Sequence, residues 1–313
     1  MIIKQHPEDF IVNEILKLEF DETGDYSYYK LIKKNLNTIE AVDIAANILK
    51  KDIKHINFAG TKDKQAVTTQ YISIFKGPHK NIEKEFSDKN ASLQLNYLGK
   101  GKERLNLGSL EGNSFIIIVR DAEKKPEKIS FIVNYFDDQR FGRNKNNHII
   151  GKLLLKNKFK EACEIIGLAV EKNNFVRAMQ QMHKKKLQMY IHAYQSYLFN
   201  ETCKMYVQQK YKTKKMKIKK IKIPIIGFGF DGQTIDDKEL KKILSKIMED
   251  EEITPRDFVI RPLQGMSAEG NERYLFAAVR NLEIQEIDKK TYKISFFLQK
   301  GSYATIAVKS MFV

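Results

Sequence analysis

The sequence predicts an α+β protein in which both ends of the chain build one sheet and a mostly helical segment is inserted between them. Three observations carry this expectation. Short alternating apolar and polar runs fill the N-terminal part. The pattern from His148 to about Gln209 has helical spacing instead. β character then returns near the C-terminus, in "ERYLFAAVRNLEIQEID" and "KTYKISFFLQK". A chain whose ends share one character and whose middle has another is read as one domain interrupted by a second.

The elements follow in order. "EDFIVNEILKLEF" (Glu8–Phe20) alternates as a strand, and "SYYKLIKKN" (Ser27–Asn35) reads as its hairpin partner across the "DETGD" turn. "NTIEAVDIAANILKKD" changes to helical spacing, with Ile39, Val42, Ala45, Ala46 and Leu49 on one face and a capping box from Asn37 and Glu40. A segment around Phe58 and "TTQYISIF" read as strands joined by the loop "AGTKDKQAV". "SLQLNYLG", "RLNLG" and "NSFIIIVRD" are further strands, and "NYFDDQRFG" (Asn134–Gly142) is an ordered loop without periodicity. "LQMYIHAYQSYLFNETCKMYVQQ" is the longest helical piece. "KYKTKKMKIKKIK" (Lys210–Lys222) follows, an acid-free lysine run that marks an exposed hairpin or linker. "IKIPIIGFGF" is a short strand, "KELKKILSKIMED" an amphipathic helix and "GSYATIAVKSMF" a closing helix with Ser302 near its start.

Composition narrows the function. The 313 residues suit two domains better than one. No apolar run is long enough to cross a bilayer, and "MIIKQHPEDF" lacks a signal-peptide core, so the protein is expected in the cytoplasm. Cys163 and Cys203 fall in no CxxC pattern and have no nearby His at metal spacing; buried thiols are expected, without zinc or a disulfide framework. A net charge of +16 points to a polyanionic partner such as nucleic acid. Abundant Lys and Asn are equally the mark of A·T-rich codon usage, so charge alone leaves both explanations standing.

The residues that carry chemistry lie in "INFAGTKDKQAVTTQ" (Ile56–Gln70). A phosphate-binding P-loop needs G-x-x-x-x-G-K-[ST]. Gly60 has no second glycine ahead of Lys62, and Asp63 stands where a hydroxyl belongs; its carboxylate would repel phosphate. An Asp in a turn is commonly a local cap. Flanked by cations and apolar residues, it also suits a nucleophile or base that stays ionised while partly desolvated.

"FAGTKDKQAVTTQ" resembles the G-x-K-D-x-x-A-x-T-x-Q signature of the TruD family of tRNA pseudouridine synthases, matching at Gly60, Lys62, Asp63, Ala66, Thr68 and Gln70. "KQHPEDFIVNEI" resembles the family's N-terminal stretch at Lys4 and Phe10. "LGSLEGNSF" resembles the strand region before a second motif. "NYFDDQRFG" matches N-Y-F-x-x-Q-R-F-G at Asn134, Tyr135, Phe136, Gln139 and Arg140, and "AYQSYLFN" resembles the helix that opens the inserted domain. "LQKGSYATIAV" resembles L-P-x-G-S-[FY]-A-T, with Gln299 departing from the usual Pro and Tyr303 standing where many members have Phe.

The resemblance implies a mainly antiparallel catalytic domain from residues 1–155 plus 276–313, an inserted TRUD domain from 156–275, and tRNA held in the cleft between them. It implies isomerisation of uridine to pseudouridine, most often at position 13, without cofactor or metal. The chain is expected to act as a monomer. Asp63 would be the essential carboxylate, in a site that excludes water, with Lys4 as its neighbouring cation. Phe10, Asn134 and Tyr303 would line the pocket of a flipped-out uracil, and Phe136 would buttress it or hold the gap in the RNA; plain core packing is the alternative for Phe10 and for Phe136. Lys62, Lys64 and Arg140 are possible contacts to the RNA backbone; loop structure for the lysines, and an ion pair with Asp137 or Asp138 for Arg140, are the alternatives. The lysine run is either a rim for tRNA phosphates or a codon-biased loop. Two other functions fit the same residues: an RNA chaperone on this scaffold, and a synthase acting at another RNA site.

Overall fold

A computed structural model of the chain describes residues 1–87, 90–210 and 220–312. In chain order its elements are β1 (Ile2–Ile3), β2 (Phe10–Ile15), β3 (Tyr26–Lys34), α1 (Thr38–Leu49), β4 (Ile56–Phe58), β5 (Val67–Phe75), β6 (Ile82–Phe86), β7 (Ala91–Gly101), β8 (Gly112–Arg120) and β9 (Phe131–Val133). There follow α2 (Asn147–Leu155), α3 (Phe159–Ile166), α4 (Phe175–Gln180), α5 (Lys184–Lys210), β10 (Lys222–Ile225), α6 (Lys238–Asp250), β11 (Asn271–Tyr274), β12 (Phe276–Ala278), β13 (Arg280–Asp288), β14 (Thr291–Gln299) and α7 (Ala304–Met311). The fold is α+β. It comprises two compact units, Met1–Ile132 with Ala277–Val313, and Val133–Phe276.

The first unit is built on a 10-stranded sheet ordered β13-β14-β8-β2-β5-β3-β7-β6, with β1 added on β8 and β4 on β5. β2 and β5 run parallel and the other pairings are antiparallel. Strands from both chain ends thus share one sheet. The expected hairpin between β2 and β3 does not form. β5 lies between them, parallel to β2 and antiparallel to β3. The intervening stretch is longer than a tight hairpin needs, which leaves room for a strand formed later in the chain.

Side chains alternate across a strand, and directly opposed residues share a face. Val12 opposes Thr68, and Thr68 opposes Lys33. One face therefore carries Phe10, Val12 and Glu14 of β2, Thr68, Gln70, Ile72 and Ile74 of β5, and Tyr29, Leu31 and Lys33 of β3. Two apolar clusters cover it. The first joins Phe10, Phe115, Phe296 and Leu298 to Ala304, Ala307 and Val308 of α7. The second joins Leu31, Ile72, Ile74 and Leu95 to Ala41, Val42, Ala45 and Leu49 of α1.

The capping box on α1 is present: Asn37 Oδ1 accepts from Glu40 N at 2.9 Å, and Glu40 Oε2 accepts from Asn37 N at 2.9 Å. Ile39 is exposed, because the helix turns Ala41, Val42, Ala45, Ala46 and Leu49 inward instead. "RLNLG" is not a strand; Leu105 N donates to Ser73 Oγ rather than to a ladder.

In the second unit α5 is the central helix, burying Leu187, Ile191, Tyr194, Leu198, Phe199 and Tyr206. β10 and β11 form a two-stranded ribbon. Residues 133–155, which the sequence reading assigns to the first domain, pack here. The reason is Gly151 of α2, whose missing side chain lets the helix approach α5 so closely that a Cβ would overlap the Tyr190 carbonyl. Cys163 and Cys203 are both buried free thiols. The lysine run lies, from 211 to 219, outside the described residues. Among the described residues no helix is long and apolar enough to cross a membrane.

The N-cap of α1 is isolated enough to test. Asn37→Ala is expected to lower stability by about 1 kcal/mol, read as a lower urea midpoint with an unchanged slope.

Candidate active site

Residues 59–66, between β4 and β5, have no ladder of their own, so other groups must satisfy their backbone. Three buried polar side chains beneath the loop, Thr38, Gln70 and Lys33, do this, and a fourth, Glu14, holds the Lys62 side chain. Thr38 Oγ1 accepts from Lys62 N at 2.8 Å and donates to Gln70 Oε1 at 2.9 Å. Gln70 Nε2 donates to the Gly60 carbonyl at 3.2 Å. Lys33 Nζ donates to the carbonyls of Leu36 at 2.6 Å and Asp63 at 2.8 Å. Glu14 takes the Lys62 ammonium on Oε2, and its Oε1 accepts from Tyr71 N at 3.1 Å. Ala66 roots the far end of the loop in the same apolar cluster as Phe10 and Ala304.

A second loop meets this one. β1 and β2 both pair with β8, at Ile3↔Val119 and Phe10↔Ile117, so residues 4–9 are looped out between them. Lys4 opens the loop with φ 65, a left-handed conformation unusual for lysine. Two hydrogen bonds hold it against residues 59–66: Lys4 Nζ to Asp63 Oδ2 at 2.5 Å, and Gln65 Nε2 to the Lys4 carbonyl at 2.7 Å. The ammonium also lies 4.0 Å from the centre of the Phe10 ring, a cation–π arrangement. At the other end of the loop Asp9 receives Arg120 through both oxygens, at 2.8 and 3.1 Å. Burial pushes the Asp9 carboxyl up, but the Arg120 hydrogen bond and the His6 N–H outweigh it and hold the group below the usual carboxylate range.

In the second unit Asn134 is nearly enclosed. Arg273 Nη2 donates to its Oδ1 at 2.7 Å, Arg273 Nε to its carbonyl at 2.9 Å, and its own Nδ2 donates to the Tyr274 carbonyl at 3.1 Å. The guanidinium lies 4.3 Å from the Phe136 ring centre. Phe136 meets Phe199 edge-on at 5.4 Å, and its backbone exchanges two hydrogen bonds with Asn200, at 2.8 and 2.9 Å. Burial in this unit lowers the pKa of His148 and of His192.

The family model described as tRNA pseudouridine synthase D (TruD) matches residues 1–169, 163–218 and 203–311. The chain belongs to the TruD family. Among its relatives, the "Probable tRNA pseudouridine synthase D" of Nanoarchaeum equitans is 32% identical over 100% of this chain and 99% of its own length. The tRNA pseudouridine synthase D of Aquifex aeolicus is 29% identical over 99% and 97%. The crystal structure of the TruD protein of Methanosarcina mazei shares the fold, with a TM-score of 0.73 at 22% identity over 99% of this chain and 93% of that one.

The expected site residues of this TruD chain fall into two groups. Lys4, Phe10, Lys62, Asp63, Lys64 and Tyr303 belong to the first unit; Asn134, Phe136 and Arg140 belong to the second. Lys4 and Asp63 are in contact. Asp63 is less dry than expected, since 37% of its side chain is exposed while that of Lys4 is 14% exposed. The loop turns the carboxylate outward and keeps only its backbone against the buried polar groups. Phe10 is buried in the core, edge-on to Phe115 at 6.2 Å, so its ring supports Lys4 and is closed to a stacked base. Lys62 is not a phosphate contact, because its ammonium is buried on Glu14. Lys64 is exposed and pairs with Glu40 at 2.9 Å. Arg140 lies 5.3 Å from the Phe136 ring, and Asp138 pairs instead with Lys145 at 3.0 Å. Tyr303 is half-buried at the N-cap of α7, directly before Ala304. Among the described residues no group of three or more His, Cys, Asp or Glu is placed to hold a metal ion.

Sequence reasoning missed Glu14, Lys33 and Arg273. A signal existed for two of them. Glu14 shares the parity of Phe10 and Val12, and Lys33 that of Tyr29 and Leu31, so both are charges at core positions of amphipathic strands. Nothing local marks Arg273, whose partner is far away in sequence.

The Glu14–Lys62 pair gives a clear test. Lys62→Ala leaves a fully buried, unpaired carboxylate and is expected to cost about 3–5 kcal/mol, measured by urea unfolding. Lys64→Ala, removing an exposed pair, is expected to change the midpoint little.

Proposed function

We propose that this chain isomerises uridine to pseudouridine in tRNA, with position 13 as the target and Asp63 as the reacting carboxylate. The observation that carries this reading is the 2.5 Å Lys4–Asp63 pair at the tip of an ordered loop, in a chain that carries the family's motifs from end to end. The reaction breaks N1–C1′, turns the uracil and joins C5 to C1′. A carboxylate serves either by adding to C1′ or to uracil C6, or by taking a proton from C2′. Its negative charge also stabilises an electron-poor ribose in the transition state, as in glycosidases.

Lys4 holds Oδ2 of Asp63 and so fixes which oxygen faces outward. The exposed flank of the carboxylate is where the substrate ribose enters, and the flipped nucleotide supplies the desolvation that the free chain lacks. Tyr303 is the stacking surface for the base. Asn134 uses one acceptor and one donor on Arg273 and Tyr274. It retains one N–H and one lone pair, the complement of uracil's carbonyl and N3–H. Phe136, held by Arg273 and Asn200, backs that amide.

Asp63→Asn separates the synthase from a chaperone on the same scaffold. The variant is expected to bind tRNA and form no pseudouridine in base-resolution mapping; continued formation would refute the assignment. Tyr303→Ala is expected to lower turnover more than affinity, and full turnover would remove it from the site. Binding is expected to weaken by about 10³-fold or more between roughly 50 and 200 mM salt if six or so phosphates are engaged, measured by filter retention.

A further inference from the structure

Lys33 is a buried ammonium that the reaction as described does not use. It is wholly inaccessible, on the core face of β3 in line with Tyr29 and Leu31. Its hydrogen-bond partners are two neutral carbonyls, Leu36 O at 2.6 Å and Asp63 O at 2.8 Å. Confining an ammonium in the interior costs several kcal/mol unless it is well paired. The neighbouring inward residues on the same strand are apolar, so the sheet itself has no need of charge here. What the charge does is reach the main chain of residue 63.

We propose that Lys33 is a positioning residue for the isomerase reaction, whose ammonium pins the backbone of Asp63 and so sets the carboxylate against the ribose. The inference rests on Asp63 being the reacting carboxylate. One ammonium ties two segments together: the turn that leads into α1, through Leu36, and the loop, through Asp63. Charge-assisted donation to both carbonyls is stronger than donation from a neutral amine. A displacement of the reacting group by about 1 Å costs on the order of 10²-fold in rate.

The charged state is finely balanced. Desolvation lowers the Lys33 pKa to about 8, with Asp63 and Glu40 raising it and Lys62 lowering it further. Asp63 and Lys62 act on it from the loop and Glu40 from α1, and Glu14 of β2 lies on the same face of the sheet. Above about pH 8 the amine is neutral in the folded chain, whereas the unfolded lysine keeps its proton to about 10.4. The unfolded state then binds more protons, so this group makes the fold more stable as pH rises across that window. Turnover that needs the ammonium falls over the same window. A purely structural role would not move rate and stability in opposite directions.

The test compares the unaltered chain, Lys33→Met and Asp63→Asn in single-turnover pseudouridine formation on a tRNA transcript between about pH 6 and 9, with thermal melting at each pH. The unaltered chain is expected to lose turnover above about pH 8 without a matching loss of melting temperature. Lys33→Met is expected to fold, to react about 10²-fold more slowly with half-saturating tRNA within about twofold, and to lack the alkaline fall. Near-normal turnover in a folded Lys33→Met, or an unchanged alkaline fall in it, overturns the proposal. If the variant does not fold, the unaltered chain decides: a fall near pH 8 supports the proposal and a flat profile refutes it. Turnover retained by Asp63→Asn overturns the underlying reading itself, which distinguishes that failure from the failure of Lys33 alone.

Discussion

An irregular loop laid across the core face of a sheet is possible only if every backbone group it buries finds a partner. In residues 59–66 Thr38, Gln70 and Lys33 bond the backbone at Lys62, Gly60 and Asp63, and Glu14 takes the Lys62 side chain; all four are buried and come from regular elements. This polar bed separates the apolar cluster beneath α1 from the one beneath α7. The position of Asp63 therefore derives from strands and a helix rather than from the loop's own conformation. A carboxylate so placed is held by rigid parts of the fold, which is what preorganised chemistry requires.

The N-terminal loop supplies the other half of the arrangement. Residues 4–9 leave the edge of β8 and rejoin it, stapled by Asp9–Arg120 at one end and by Lys4–Asp63 and Gln65–Lys4 at the other. The left-handed backbone at Lys4 is a local cost tolerated where these contacts over-determine the residue. Phe10 contributes from below: its ring lies in the core yet presents one face to the ammonium. Core packing, the alternative reading of Phe10, is what the fold shows, with the ring also touching the cation that pairs with Asp63.

In the second unit a cation holds a neutral amide. Arg273 lies against Phe136 and grips both the side chain and the main chain of Asn134. The amide is fixed on its Oδ1 by Arg273 and on its Nδ2 by the Tyr274 carbonyl. In both units a cation fixes a polar side chain or its backbone, Lys33 and Lys4 at Asp63 in one and Arg273 at Asn134 in the other.

The sequence by itself determined the family, the α+β class, the capped helix α1, and Asp63 with Lys4 as a pair to examine. These are properties of local pattern and of motif spacing. Strand parity also held, unread, the inward charges Glu14 and Lys33. Only the tertiary structure decided that β5 separates β2 from β3, that residues 133–155 pack on α5, and that Lys62 turns inward while Lys64 stays outside. It alone paired Arg273 with Asn134. Each of these depends on which distant segments meet. Neighbouring residues share a sequence context, but burial and pairing are set by partners that may lie a hundred residues away, and no local periodicity encodes them.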